Sequence, residues 1–196
     1  MSASGTLSNI FSKLFGSTRP PALVEAFCDK LDAVFGGSPR YVYLGPEQFS
    51  LITTAVPTYS VTNNLSQVVL DQGDETAFFF TTLNLPFDDN SGVGGLGLQL
   101  TSIKVLYKVA TAALDDCTGT LSRFTIPVEG SAPVGEAVTT TDTLPLTADE
   151  HTGTMVVDTP ADMDGATYCY NLGLLFDKAA TSDLTFWGVV LVFEEP

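Results

Sequence analysis

Hydrophobic and polar positions change their period once along this chain. Near the start, Leu7, Ile10, Phe11, Leu14 and Phe15 fall at the i, i+3, i+4, i+7, i+8 spacing of an amphipathic helix over about 6–15. Ser4 or Thr6 can cap it and Gly16 can stop it. The breaker Ser17-Thr18-Arg19-Pro20-Pro21 separates a second helix over about 22–35. Leu23, Phe27, Leu31, Val34 and Phe35 line one side of that helix, with Pro21 at the first turn and Gly36-Gly37 as terminator. Residues 1–37 are therefore expected to form a helical arm ahead of a domain. Helices this short are marginal alone, so the arm needs a surface to lie on, in its own domain or in a neighbouring copy. Leu7, Ile10, Phe11, Leu14, Phe15, Phe27 and Leu31 are the candidate oligomer interface. Only Lys13 marks the polar face of the first helix, whereas helices lying on a membrane surface carry several basic residues there.

From Arg40 onward the helical period gives way to short apolar runs punctuated by turn residues every eight to twelve positions, the pattern of an all-β sandwich. The strand candidates are 41–44, 49–53, 65–70, 76–83, 96–109, 120–128, 153–157, 166–176 and 184–193. No helical run of 10 to 15 residues separates them, which excludes parallel βαβ units. The expectation for 38–196 is a single antiparallel β-sandwich, jelly-roll-like, of eight or nine strands. Pro57, Pro86, Pro127, Pro133, Pro145 and Pro160 fall at run ends or between runs, away from central ladders.

Three runs say more. Leu184–Phe193 is apolar on both alternating faces, with Leu184, Phe186, Val190 and Val192 on one and Trp187, Val189, Leu191 and Phe193 on the other, so it reads as a central strand covered on both sides. Phe78, Phe79 and Phe80 make 76–83 two-sided as well. In 96–109, Leu96, Leu98 and Leu100 have one parity and Ile103, Val105, Tyr107 and Val109 the other, which requires a bulge or bend near Thr101-Ser102. Lys104 and Lys108 then share the outward face with Leu106. The stretches 107–114 and 177–184 echo each other, as expected of similar hairpin chemistry.

Charge narrows the function. Against 23 Asp and Glu stand 8 Lys and Arg, a formal net charge of -15, while 44% of the 196 residues are hydrophobic. That is an acidic-surfaced globular chain and not a disordered acidic tail. Duplex binding requires clustered cations, so nucleic acid is excluded as a direct partner, and anionic membrane surfaces are disfavoured. No signal-peptide pattern opens the chain and no apolar run of about 18 residues exists to span a membrane. Cys28, Cys117 and Cys169 are odd in number and lack CxxC spacing, which reads as buried free thiols from a reducing cytoplasm.

Catalytic patterns do not emerge. His151 is the only histidine, placed in the polar stretch 147–153 and read as a solvated loop residue, and no G-x-S-x-G elbow surrounds a serine. A non-enzymatic protein is expected. Acidic loops at 71–75, 88–92 and 162–165 raise calcium as the one cofactor left open, with Asp88, Asp89, Asp162 and Asp164 as candidate ligands. None completes the EF-hand pattern, and turn-forming Asp and Asn are the better account of them. The glycine-rich stretch 92–97 enters a strand and opens no helix, which suits a hairpin or a close subunit contact. Tyr41, Tyr43, Tyr59, Tyr168 and Tyr170 are candidates for a sugar-stacking platform, although Tyr168 and Tyr170 share parity with Leu172, Leu174 and Phe176 and are expected in the core.

The run LGLQLTSIKVLYKVATAALDDCTGTLSRF, the segment HTGTMVVDTP and the tail ATYCYNLGLLFDKAATSDLTFWGVVLVF resemble β-sandwiches of virion-associated proteins from tailed phages and other viruses. The resemblance covers roughly residues 95–196 and carries no functional residue. It implies a jelly-roll virion subunit of capsid, decoration, spike or fibre type. Such a subunit is made in the host cytoplasm, resides in the virion, and contacts copies of itself and other virion proteins. A host-surface glycan or receptor is an open partner. The competing expectation is a carbohydrate-binding β-sandwich module or receptor-binding domain without catalysis, which an exposed Tyr and Trp ladder would favour.

Overall fold

The computed structural model describes residues 39–62, 65–83, 87–88, 92–93, 99–125, 132, 134–161 and 168–194. The two expected helices, with Leu7, Ile10, Phe11, Leu14, Phe15, Phe27 and Leu31, lie outside the described residues. Within them the protein is all-β, with one 3-10 turn at Pro46–Gln48 and no α-helix.

The strands are β1 (Arg40–Leu44), β2 (Ser50–Ile52), β3 (Thr58–Thr62), β4 (Leu65–Leu70), β5 (Glu75–Leu83), β6 (Phe87–Asp88), β7 (Gly92–Val93), β8 (Gln99–Ala110), β9 (Leu114–Thr125), β10 (Gly135–Val138), β11 (Thr140–Thr143), β12 (Glu150–Ala161), β13 (Tyr168–Lys178) and β14 (Asp183–Glu194). Seven form one sheet in the order β11-β12-β8-β14-β4-β3, with β1 also paired to β14, and five form a second in the order β10-β9-β13-β5-β2. β6 and β7 make a separate hairpin, and every pairing is antiparallel.

The core lies between the two sheets. Tyr107, Phe176, Phe186 and Phe79 form a connected aromatic cluster, with Phe79 and Phe176 edge to face at 5.8 Å and Phe79 and Phe186 at 4.4 Å. Leu100, Ile103, Val105, Leu172, Leu174, Val189 and Leu191 fill the space around it.

The expected bulge is present. Ser102 pairs with Val192 and Leu100 with Phe193, so Thr101 is the extra residue. A second parity switch was not anticipated. β14 slips between Phe186 and Gly188, where Gly188 takes φ +116, a conformation open to glycine. Leu184, Phe186, Val189, Leu191 and Phe193 therefore all face the core, and the face assignment expected from strict alternation fails at Trp187-Gly188. The bulge sits where β14 changes partner, from β4 at Leu184–Phe186 to β1 at Val189–Phe193.

Four further expectations are corrected. β3, β10 and β11 are short edge strands that the sequence reading did not list: β3 alternates over two apolar residues alone, Tyr59 and Val61, and β10 and β11 have no apolar alternation. Pro160 lies inside β12, in the irregular stretch between the pairs Val156/Ser102 and Ala161/Leu100 where no ladder bond is interrupted. Cys169 is exposed because its parity on β13 points it outward, whereas Cys117 is buried, and Cys28 lies outside the described residues. The echoing stretches 107–114 and 177–184 are crossings between sheets, from β8 to β9 and from β13 to β14. The two bends meet, with the buried Ser182 hydroxyl donating to the carbonyls of Ala112 and Ala113.

Candidate functional site

The titratable groups inside the sandwich are tied to structural partners. Lys178 is fully buried and donates to the Asp71 carbonyl and to Glu75 Oε1 at 2.9 Å. The acidic loop 71–75, read above as a calcium alternative, is thus occupied in part by a lysine of this chain. Tyr107 donates to the Pro145 carbonyl at 2.6 Å, and burial raises its pKa. Beside it the Cys117 thiol is pushed up to about 12, first by burial and then by Asp116, so it is a packing group and no nucleophile. His151 is half-buried in β12 and not a loop residue, with Nε2 at 2.6 Å from the Thr147 carbonyl.

Among the described residues no group of three His, Cys, Asp or Glu side chains is placed to hold a metal. Asp89, Asp162 and Asp164 lie outside the described residues, and for Asp88 only its place in β6 is described. No helix among the described residues is long and apolar enough to cross a membrane.

The outer face of the seven-stranded sheet is different. Adjacent strands place residues in rows here, because antiparallel partners share a face. One row runs Tyr43, Val190, Lys104, Thr154, Thr143, from β1 across β14, β8 and β12 to β11. The next runs Tyr41, Val192, Ser102, Val156, Thr141. Tyr41 and Tyr43 alternate on β1, which places their rings roughly 6–7 Å apart along the strand. They are 60% and 43% exposed. Lys104 reaches across β14 to set its ammonium 5.9 Å from the centroid of the Tyr41 ring. Beneath that contact Val192 is left only 4% exposed although it points away from the core.

At the other end of the patch the Tyr43 hydroxyl donates to the Trp187 carbonyl at 2.5 Å. Partial burial and the neighbouring Glu47 carboxylate raise the Tyr43 pKa, keeping the hydroxyl a donor at neutral pH. Trp187, half-buried on the same face, donates its indole N–H to Gln67 at 3.2 Å. Gln67 in turn donates to Ser60 at 2.9 Å. Ser102, on β8, and Thr154, paired with Lys104 from β12, carry hydroxyls on the same outer face.

Of the five tyrosines named from sequence, Tyr41 and Tyr43 share the outer face of one strand, while Tyr168 and Tyr170 meet at 6.4 Å on the core side of the other sheet. Tyr170 is buried, and Tyr168 is half-buried at the edge of the core beneath the Arg123 guanidinium, 4.7 Å from its ring centroid. Tyr59 is exposed but lies on β3 with core-side parity. Trp187 and Lys104 are members that the sequence reading assigned elsewhere or left as outward charge. Their partnership requires knowing that β1 lies beside β14, which no local pattern encodes.

No protein-family model matches the chain, and no curated protein matches it. Solved structures are similar to it at low identity. The enzymatically active domain of tailspike protein 4 of bacteriophage CBA120 is 9% identical, over 76% of this chain and 19% of that one, with a TM-score of 0.36. The CBM22-1-GH10 modules of an endo-1,4-β-D-xylanase from Clostridium thermocellum are 12% identical, over 81% of this chain and 28% of that one, with a TM-score of 0.41. The xylan-binding module CBM86 from Roseburia intestinalis is 9% identical, over 81% and 97%, with a TM-score of 0.33. The chain thus spans well under a third of the first two. No function passes from them to this chain.

Proposed function

We propose that this protein is a carbohydrate-binding β-sandwich without catalysis, and that it takes up glycan on the outer face of its seven-stranded sheet. The observation that carries this reading is the exposed pair Tyr41 and Tyr43, which alternate on one face of β1 with Ser102 and Thr154 in the same cross-strand rows. Aromatic faces take the apolar C–H face of a pyranose, and neighbouring hydroxyl, amide and ammonium groups take its hydroxyls. Tyr107, Cys117 and Lys178, the groups with perturbed or buried chemistry, sit in the core and away from this face, which suits binding without turnover.

Binding to immobilised polysaccharides and a soluble oligosaccharide panel tests it. Tyr41→Ala and Tyr43→Ala should each weaken retention about two- to tenfold, in line with the ~0.5–1.5 kcal/mol carried by an aromatic contact, while the thermal midpoint stays near that of the parent. Retention of no glycan, or undiminished retention by the double variant, overturns the reading.

A second reading, a jelly-roll virion subunit of capsid, decoration or spike type, draws on a different surface. On the outer face of the five-stranded sheet Ile52 is exposed beside Phe78, and the Phe78 and Phe80 rings stack at 6.3 Å. Contact with neighbouring copies would cover that face. The two roles are compatible in one molecule, since they use opposite faces.

A further inference from the structure

We infer that the glycan taken at Tyr41 and Tyr43 is acidic, and that Lys104 receives its carboxylate or sulfate. The inference rests on the carbohydrate-binding reading above and adds the charge class of the ligand to it.

The case begins with how few cations this chain has to place. Five of the eight basic residues are described: Arg40, Lys104, Lys108, Arg123 and Lys178. Three of them are committed, Lys108 to Glu150 at 3.1 Å, Arg123 to Glu136 at 2.8 Å and Lys178 to Glu75 at 2.9 Å. Arg40 sits at the end of β1, opposite Phe193. Lys104 is the remaining one, in the middle of the sheet. Among the described residues it has no carboxylate within ion-pair distance, and it leans on the Tyr41 ring instead.

In a molecule of net charge -15 a lysine would readily find a carboxylate partner. Here the two rows around Lys104, Tyr43 to Thr143 and Tyr41 to Thr141, contain no acidic residue at all. The acids that share this outer face stand at its margins: Glu194, two residues beyond Val192 on β14 and opposite Gln99, Glu150, engaged by Lys108, and Asp158, accepting from Thr141 at 2.6 Å. Glu47 stands at the Tyr43 end, where it acts on that hydroxyl. Carboxylates thus flank the patch at both ends, and none of those described lies within ion-pair distance of the Lys104 ammonium at its middle. A cation over an aromatic face, half removed from water, gains more from an incoming anion than one in bulk solvent. Ser102 and Thr154, cross-strand neighbours on the same face, are placed to donate hydroxyls to the same anion.

Titration calorimetry on the full chain at 50 mM salt decides it, with three hexasaccharide probes: cellohexaose, which is neutral, hexagalacturonate, which carries carboxylates alone, and sulfated cellohexaose, which carries sulfates alone. One or both acidic probes should bind at least tenfold more tightly than cellohexaose, and the preferred probe identifies the group. Lys104→Gln should reduce that ratio to near one, weakening the acidic probe far more than cellohexaose. Lys108→Gln should change the ratio little. If cellohexaose binds as tightly as the acidic probes, or if Lys104→Gln preserves the acidic preference, the charge inference falls and the carbohydrate reading stands. If none of the three probes nor any member of the wider panel binds, the carbohydrate reading falls and takes the inference with it.

Discussion

Lys178 shows how a single residue can hold two elements together. Its ammonium is buried at the end of β13, and it is satisfied by a carboxylate at the start of β5 and a carbonyl in the loop before it. Removing one partner of such a pair strands the other charge, at a cost of about 3–5 kcal/mol. Glu75→Gln or Lys178→Ala is accordingly expected to lower stability by about that amount in urea unfolding. The double variant Glu75→Leu, Lys178→Met should recover most of the loss, because no charge then remains buried. Recovery of less than a third would mean that the loop needs the ion pair for its shape. Cys117 gives a pH signature instead. Its thiol has an ordinary value of 9.0 and is pushed up to about 12 in the folded chain, so the neutral form is favoured by folding. The stability it contributes is fully present below about pH 9 and is lost as pH rises through 12. Urea midpoints measured from pH 7 to 10.5 should fall faster for the parent than for Cys117→Ala, and equal slopes would remove the thiol from the account. Over the same range Cys169, exposed on the outer face of the same five-stranded sheet, should react with thiol reagents well before Cys117. Residue-level chemistry of this kind was only half visible in the sequence. The apolar run around Cys169 suggested burial, and only the parity of β13 shows which way the side chain turns.

At the scale of elements, alternation was a dependable guide wherever one face of a strand meets the core along its whole length. β4, β5 and β8 follow their apolar pattern closely, and the mismatch of parity in 96–109 located the Thr101 bulge without any structure. β14 misled because its bulge is concealed by apolar residues of both parities, Val190 and Val192 among them. A hidden register shift and a strand buried on both sides have the same sequence. The edge strands β3, β10 and β11 carry mostly Thr, Ser, Gly and acidic residues, and they are strands because a neighbour offers a ladder, a reason that lies outside their own sequence. Gly188 is the testable hinge of this level. A Cβ there would collide with the Leu44 carbonyl, and φ +116 is strained for any L side chain. Gly188→Ala should cost about 1–3 kcal/mol of stability and should weaken glycan retention along with it, because the same bulge seats β1 and its tyrosines. A neutral effect on both would separate the tyrosine platform from the bulge.

At the scale of the whole molecule, two outer faces with different chemistry would each serve one of the two proposed roles. One bears Tyr41, Tyr43 and Lys104, and the other bears Ile52, Phe78 and Phe80 over the buried Gly173. The charge of -15 sets the conditions under which copies can meet. Like-charged molecules repel over a Debye length, about 10 Å at 0.1 M salt and about 3 Å at 1 M, whereas apolar contact does not weaken with salt. An assembly built through the five-stranded sheet should therefore grow with ionic strength. Light scattering from 20 mM to 1 M salt should show the mass rising to a defined multiple, and Ile52→Asp should hold the chain at its low-salt mass across the range. Tyr41→Ala should leave the mass series unchanged while weakening glycan retention, and Ile52→Asp should change the mass series while leaving retention as it is. If Tyr41→Ala also prevents association, the aromatic face is the contact between copies, and the same result would withdraw the carbohydrate reading of that face. If the mass stays that of one chain at every salt concentration, the subunit reading loses its support, and the sandwich is a monomeric binding module whose five-stranded sheet faces solvent.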